Sequence, residues 1–211
     1  MNPHITGLRC TLCGLLEPEG KNEKTCPSCG PRGIRDVEYD YPAIAQRFGR
    51  ASLAADRRPS VARYLPLLPL APSGQITPLL VGRTPLVEAP ALAKALGIGR
   101  LWIKDDGRQP TGSFKDRASF VGTARAVALG QKTIAAASTG NAATSLAGLA
   151  ASLGLEAKIF VPKTAPEAKI AQLLIYGADV FLVDADYDAT YDLCQEAVAR
   201  FGWYDRSAAV N

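Results

Sequence analysis

Histidine is almost missing from this sequence, since His4 is the only one among 211 residues. A catalytic triad or a metal centre that needs several histidines is therefore excluded. Long apolar stretches are missing as well, because no run approaches the roughly 18–20 residues that a membrane-spanning helix needs. The first residues also lack the charged-then-apolar pattern of a signal peptide. The sequence predicts a cytoplasmic protein that has no membrane partner.

The sequence also lacks a large excess of positive or negative residues. The chain has 24 Lys and Arg residues against 20 Asp and Glu residues, which gives a net charge of +4. Apart from Arg57 and Arg58 the basic residues are scattered, so nucleic acid is not an expected partner. The apolar fraction of 47% and the charged fraction of 21% are ordinary for a globular protein.

Cysteine is scarce but concentrated near the amino terminus. Four of the five cysteines form two Cys-x-x-Cys pairs, which are Cys10 with Cys13 and Cys26 with Cys29. In a reducing compartment such pairs are typical metal ligands, and four thiolates complete a closed tetrahedral site. We therefore predict a structural zinc ribbon over residues 1–40, with one short hairpin between the pairs. A rubredoxin-like iron site and a redox pair remain alternatives.

The rest of the chain predicts a connector and an α/β region. Residues 41–75 are rich in Ala, Arg and Pro and have weak periodicity. From residue 76 to 211, short apolar segments alternate with helical ones, which predicts βαβ crossovers and a parallel sheet with flanking helices. The predicted strands are 101–104, 133–137, 157–161 and 179–183. The predicted helices are 90–96, 114–129, 141–153, 166–176 and 188–201.

Two turns of this region contain groups that can carry chemistry. Residues 110–117, PTGSFKDR, place Lys115 at the start of a helix, and residues 138–141, STGN, form a second strand-to-helix turn. The chain between them has room for one helix and one strand, so both turns are expected at the carboxyl edge of the sheet, where such folds bind ligands. A lysine facing small hydrogen-bonding groups suits a pyridoxal phosphate cofactor. Asp116 and Arg117 are expected to form a structural charge pair.

The motifs PTGSFKDR and ASTGNAA together resemble those of threonine synthase, whose pyridoxal-phosphate fold is shared with the tryptophan synthase β subunit. Four further segments follow the order of that family, namely RTPLV at 83–87, LWIKDD at 101–106, VPK at 161–163 and YGA at 176–178. The resemblance extends from about residue 61 to residue 211. It implies conversion of O-phosphohomoserine and water to threonine and phosphate.

The resemblance also assigns roles to individual residues. It implies that Lys115 binds the cofactor covalently and transfers protons, that Asn141 donates to the ring oxygen, and that Ser113 lies beside the cofactor. It assigns the substrate α-carboxylate to a nest of small residues, which are Ser138, Thr139, Gly140 and Asn141.

Members of this family continue beyond the position that corresponds to residues 209–211. The resemblance therefore implies an amino-terminal portion that lacks the groups for the cofactor phosphate and the pyridine nitrogen. Such a portion is expected to be inactive alone, and the complete form is compatible with a homo-oligomer. A threonine or serine dehydratase and another β-replacement lyase of the same fold are alternatives. A non-catalytic zinc-ribbon binding module with a relic lobe is the alternative from a different class.

Overall fold

The computed structural model describes residues 2–18, 20 and 25–207. Residues 19 and 21–24 of the predicted ribbon lie outside the described residues. So do residues 209–211, where the resemblance places the entry to a second lobe. Within the described part, no helix is long and apolar enough to cross a membrane.

The amino-terminal region is a four-stranded antiparallel sheet in the order β2-β1-β4-β3. Its strands are β1 (Ile5–Cys10), β2 (Leu16–Glu17), β3 (Thr25–Cys26) and β4 (Gly30–Tyr39). Strand β2 pairs with β1, and β3 pairs with the long strand β4. The first Cys-x-x-Cys turn joins β1 to β2, and the second joins β3 to β4. The prediction of a single hairpin between the cysteine pairs is therefore wrong.

The connector contains α1 (Tyr41–Ala45), α2 (Arg50–Ala55) and a 3-10 helix, Val61–Leu67. Asp40 begins α1 by accepting a hydrogen bond from the backbone N–H of Ala43 at 3.0 Å. The 3-10 helix packs into an apolar cluster with residues of the α/β region, which comprises Ala62, Leu70, Val81, Phe120, Ala124 and Leu149. The 3-10 helix thus fixes the connector to the α/β region.

A small antiparallel ribbon precedes the main sheet. Strand β5 (Leu86–Glu88) pairs with β6 (Trp102–Lys104), and α3 (Pro90–Ala95) lies between them. The prediction that residues 101–104 belong to the alternating parallel strands is therefore wrong. The side chains of β6 are exposed, whereas a strand of a parallel sheet is normally buried on both faces.

The main sheet is parallel and has the strand order β10-β7-β8-β9. Its strands are β7 (Thr133–Ala137), β8 (Glu156–Pro162), β9 (Asp179–Val183) and β10 (Tyr204–Asp205). The helices around it are α4 (Lys115–Ala128), α5 (Asn141–Ala151), α6 (Glu167–Ile175) and α7 (Tyr187–Phe201). The predicted α/β fold class is confirmed, with β9 and β10 as the edge strands.

The two faces of the main sheet bury alternate residues of β7. Ile134 and Ala136 belong to the core cluster that includes α5 residues, whereas Ala135 and Ala137 belong to the cluster that contains Cys194 of α7. This alternation follows from the period of two in a strand. Every residue from 143 to 150 of α5 is buried, so α5 is the central helix of its layer and its first turn is fixed relative to the sheet.

Candidate active site

Lys115 is the first residue of α4, and its side chain is half-buried. The loop before it turns at Gly112, whose φ of 80° favours glycine. The hydroxyl of Ser113 accepts a hydrogen bond from the backbone N–H of Lys115 at 3.1 Å, which fixes the first turn. The Lys115 Nζ atom lies 4.8 Å from the ring centroid of Phe114. Among the described residues, no carboxylate forms an ion pair with this amine, so the amine is available to a ligand.

Two carboxylates connect the start of α4 to the preceding loops. Buried Asp116 accepts hydrogen bonds from the backbone N–H of Thr111 at 2.8 Å and from the Thr111 hydroxyl. Asp106 accepts from Arg117 Nε and Nη2, both at 2.8 Å, and from the Thr84 hydroxyl at 2.6 Å. The Arg117 hydrogen bonds hold the pKa of Asp106 well below its usual range. The predicted Asp116–Arg117 pair is therefore wrong, since adjacent helix residues point in different directions.

The turn at residues 138–141 follows β7 directly and leads into α5. The backbone N–H of Gly140 donates to the Ser138 hydroxyl at 3.4 Å, and no side chain caps the helix. Among the described residues, the backbone N–H groups of Thr139 and Asn141 have no acceptor. Open N–H groups at a helix amino terminus favour an anion. The turn therefore has the hydrogen-bonding capacity that a carboxylate-binding nest requires.

The side chain of Asn141 is exposed, and its oxygen accepts a hydrogen bond from Lys169 Nζ at 2.7 Å. Lys169 lies in the first turn of α6 and also contacts the side-chain oxygen of Gln172 at 3.4 Å. This contact leaves the Asn141 amide nitrogen to donate elsewhere. Lys169 was not predicted from the sequence, where its place at the start of the helix that follows α5 was the signal for it.

The first turns of α4 and α5 lie next to each other. The buried hydroxyls of Ser119 and Ser145 form a hydrogen bond of 2.8 Å between the two helices. Each serine follows the first residue of its helix by four positions, because α4 begins at Lys115 and α5 at Asn141. Since α4 leads into β7 and α5 leads out of it, both helices run antiparallel to that strand. The two predicted turns therefore meet at the carboxyl edge of the sheet.

A second site is formed by the four cysteines of the ribbon, Cys10, Cys13, Cys26 and Cys29. Their Sγ atoms all lie within 4.8 Å of one another, and the Cys13 and Cys26 sulfurs are 3.7 Å apart. A tetrahedral zinc site with bonds of about 2.3 Å requires sulfurs about 3.8 Å apart. A Cβ atom on Gly33 would lie 2.6 Å from that of Cys26 and 2.7 Å from that of Cys29. Only glycine therefore lets β4 pass so close to the second cysteine pair.

The crowded sulfurs have unequal acidities. The backbone N–H of Cys13 is the main cause that lowers the pKa of Cys10 to about 7. The hydrogen bond with the Cys13 thiol is the main cause that raises the pKa of Cys29 to about 12. A bound cation would favour the thiolate form of all four cysteines, so the geometry and the chemistry of this donor set both fit a divalent metal.

Comparison with known proteins identifies the family of the α/β region. The family model described as pyridoxal-phosphate dependent enzyme matches residues 77–211. The threonine synthase of Methanocaldococcus jannaschii is 37% identical over 189 residues, which are 89% of this chain and 46% of that protein. The threonine synthase of Synechocystis sp. is 40% identical over 139 residues, which are 65% of this chain and 36% of that protein. The chain thus spans less than half the length of these relatives.

Solved structures share the fold of the α/β region. A threonine deaminase from T.th. has a TM-score of 0.52 at 30% identity, over 60% of this chain and 39% of that one. Diaminopropionate ammonia lyase of Escherichia coli, in complex with an aminoacrylate-PLP reaction intermediate, has a TM-score of 0.55 at 24% identity. That match covers 60% of this chain and 36% of the lyase, and it shows a common fold alone.

Proposed function

The chain belongs to the family of pyridoxal-phosphate dependent enzymes, and we propose that its protein is a threonine synthase. The proposed reaction converts O-phosphohomoserine and water to threonine and phosphate. The observation that carries the proposal is the meeting of Lys115 and the open turn at residues 138–141 at one edge of the sheet. The similarity to proteins named threonine synthase supports this choice of reaction.

The residues at this edge fit pyridoxal phosphate. A Cβ atom on Gly112 or Gly140 would meet no atom within 4 Å, which leaves space for a flat ring beside the backbone. Lys115 would bond to the cofactor aldehyde, and the Asn141 amide nitrogen would donate to the ring oxygen. Ser113 would lie beside the ring, since its hydroxyl already positions Lys115. When bound, the cofactor supplies an electron sink for negative charge at the substrate α carbon.

The same residues would handle the substrate. The backbone N–H groups of Thr139 and Asn141 would donate to its α-carboxylate, together with the hydroxyls of Ser138 and Thr139 and the small turn at Gly140. Lys115 would remove the proton at the α carbon and return protons at the α and β carbons as a general acid and base. A carboxylate held at the start of α5 would bring the substrate α carbon near the start of α4.

Borohydride reduction tests the cofactor site directly. The purified protein is mixed with pyridoxal phosphate, reduced and digested, and the position of the pyridoxyl group is read by mass spectrometry. We expect it on Lys115 and expect no label at that peptide in Lys115→Ala. Lys115→Arg should fail equally, because a guanidinium stays protonated. Labelling of Lys104, Lys132 or Lys163 instead would contradict the site while leaving the family unchanged.

Product analysis tests the reaction. With protein isolated from its natural source, we expect O-phosphohomoserine to yield threonine and phosphate in equal amounts. A dehydratase is the second candidate, because the fold matches the threonine deaminase from T.th. at 30% identity. It would instead release ammonia and a 2-oxo acid from threonine, and that outcome would replace the proposed reaction.

We also propose that the four ribbon cysteines hold a structural zinc ion and that the protein works in a reducing compartment such as the cytoplasm. The sulfur spacing supports this. Four thiolates leave no open position for catalysis. Metal analysis after anaerobic purification should give about one zinc per chain. The Cys10→Ser/Cys26→Ser variant should lose the metal, whereas Cys194→Ala should retain it. Full zinc retention in the double variant, or iron in the unmodified protein, would overturn the proposal.

A further inference from the structure

A cavity of about 290 Å³ lies where the cysteine ribbon meets the connector. It is away from both sites described above, since none of its walls comes from α4, α5 or the cysteine pairs. Its walls come from the residue before β1, from α1 and α2 and the segments after each, and from the 3-10 helix. The volume is close to the lower limit of small-molecule sites, which suits a small compound.

Part of the lining of this cavity is apolar. Ile44, Phe48 and Pro66 line it, and Ile44 is buried while the Phe48 ring meets that of Tyr64 edge to face at a centroid distance of 6.3 Å. The Phe48 ring is therefore held in place before any ligand binds. Such a wall suits a short hydrocarbon body.

The polar part of the lining carries an unbalanced positive charge. Asp56 accepts from Arg58 Nη2 at 2.6 Å and from its Nε at 3.0 Å, so these two charges neutralise each other. Arg47 also lines the cavity, and its exposed guanidinium has no hydrogen-bond acceptor among the described residues. His4 also lines the cavity. One free guanidinium beside an apolar wall favours an anion over a cation or a neutral polar group.

We propose that this cavity binds a small monocarboxylate with a short apolar body, whose carboxylate pairs with Arg47. Hydrogen bonds within the chain already connect two parts of the cavity wall, the segment before β1 and the 3-10 helix. Asn2 donates from its side-chain nitrogen to the carbonyl oxygens of Leu65, Pro66 and Leu68, at 3.1, 3.0 and 2.8 Å. The ribbon wall and the 3-10 helix wall are thus held together without the ligand, which makes the cavity preformed.

A ligand in the cavity would also stabilise the α/β region, because the two are connected by side-chain packing. The 3-10 helix that supplies Pro66 also places Ala62 in the apolar cluster with Phe120 of α4. A ligand that binds only the folded junction stabilises it in proportion to its occupancy. The bound carboxylate is therefore expected to raise the thermal midpoint of the protein.

Titration calorimetry with 4-methylpentanoate and its neutral amide tests the proposal on the purified chain. We expect the carboxylate to bind at least about tenfold more tightly than 4-methylpentanamide. Arg47→Gln should weaken carboxylate binding at least about fivefold. Arg57→Gln is the matched control, because Arg57 is an exposed neighbour of the cavity with the same charge, and it should change binding by less than about twofold. Lys115→Ala should bind like the unmodified protein.

Several outcomes would overturn the proposal. Equal affinity for the acid and the amide would show that the negative charge is not recognised. Equal losses of affinity in Arg47→Gln and Arg57→Gln would indicate non-specific electrostatic attraction. Tighter binding of inorganic phosphate than of 4-methylpentanoate would exclude a role for the apolar wall. Absence of binding by 4-methylpentanoate at millimolar concentrations, in protein whose circular dichroism shows it to be folded, would also end it.

Discussion

The helices α4 and α5 meet at the candidate active site, but their first turns are held differently. At α4, the Ser113 hydroxyl, the Asp116 carboxylate and the Arg117 guanidinium each bind a loop or backbone group. Neither helix has a side-chain cap at the residue before its first one, but at α5 the backbone N–H groups of Thr139 and Asn141 remain open among the described residues.

This difference between α4 and α5 suggests different roles for their first turns, stability at α4 and ligand binding at α5. A lysine that must reach one atom of a cofactor benefits from a rigid first turn, since small displacements weaken catalysis strongly. A turn that must bind a carboxylate has to keep its hydrogen-bond donors free until the ligand arrives. We therefore expect substitutions at the start of α4 to change stability, and those at the start of α5 to change binding.

Asp116→Ala should give the largest effect on stability. Its loss leaves the buried N–H and hydroxyl of Thr111 without an acceptor, so we expect the free energy of unfolding to fall by about 3 kcal/mol. Urea unfolding followed by circular dichroism measures this. Asp188→Ala is the control, because Asp188 is an exposed acidic residue in the first turn of α7, and its loss should cost about 0.5 kcal/mol. Equal losses would contradict the special role of Asp116.

The hydrogen bond between Ser119 and Ser145 tests whether the two helix starts are joined. Each single change to alanine should cost about 1.5 kcal/mol, since a buried hydroxyl loses its partner. The double variant should cost clearly less than the two losses together, with a coupling of about 1 kcal/mol in a double-mutant cycle. Simple additivity would show that the starts of α4 and α5 are independent.

Asp106→Asn should change how stability depends on pH. Because hydrogen bonds from Arg117 depress the pKa of Asp106 in the folded state, its contribution is present above the unfolded pKa of about 4. It is lost as the pH falls towards the lower folded value. We expect about 1 kcal/mol at neutral pH, since solvent screens this partly exposed pair. Urea midpoints at pH 7, 5 and 3 should fall more steeply for the unmodified protein, and parallel curves would refute the assignment.

Asn141→Ala should have the smallest effect on stability, within about 0.5 kcal/mol, because its side-chain contact with Lys169 is exposed. Asp186→Ala provides the contrast, since Asp186 caps α7 by accepting from the N–H of Ala189 at 2.9 Å. That loss should cost about 1 kcal/mol. Asn141→Ala should still shift the pH titration of the bound cofactor's absorption. A stability loss in Asn141→Ala as large as that in Asp186→Ala would show that Asn141 stabilises the start of α5. It would contradict the proposed difference between α4 and α5.

Local pattern was sufficient to predict most of the α/β region. Strands β7 and β9 match their predicted residues, because apolar strands and glycine-terminated helices alternate there at distinct lengths. Strand β6 was assigned to the wrong sheet because three residues carry no information about their pairing partner. The assignment of Lys115 and Asn141 to the cofactor came from family resemblance and stays a prediction.

Contacts between distant side chains were not predictable from the sequence. Asp106 and Arg117 lie eleven positions apart, and Asn141 and Lys169 twenty-eight positions apart. Such pairs depend on how loops and helices are placed in three dimensions, which periodicity does not encode. The sequence therefore indicated which turns meet but not which side chains hold them.

Strand β9 lies at the edge of the main sheet, and this affects how the protein behaves at high concentration. Phe181 and Leu182 are 41% and 51% exposed along this edge, which invites strand pairing between molecules. Asp179 and Asp184, which pair with Lys158 and Lys163 at 2.5 and 2.8 Å, place charge at both ends of the strand and discourage such pairing. The net charge of +4 adds a general repulsion between molecules, so high salt, which screens both terms, is expected to promote aggregation of concentrated samples.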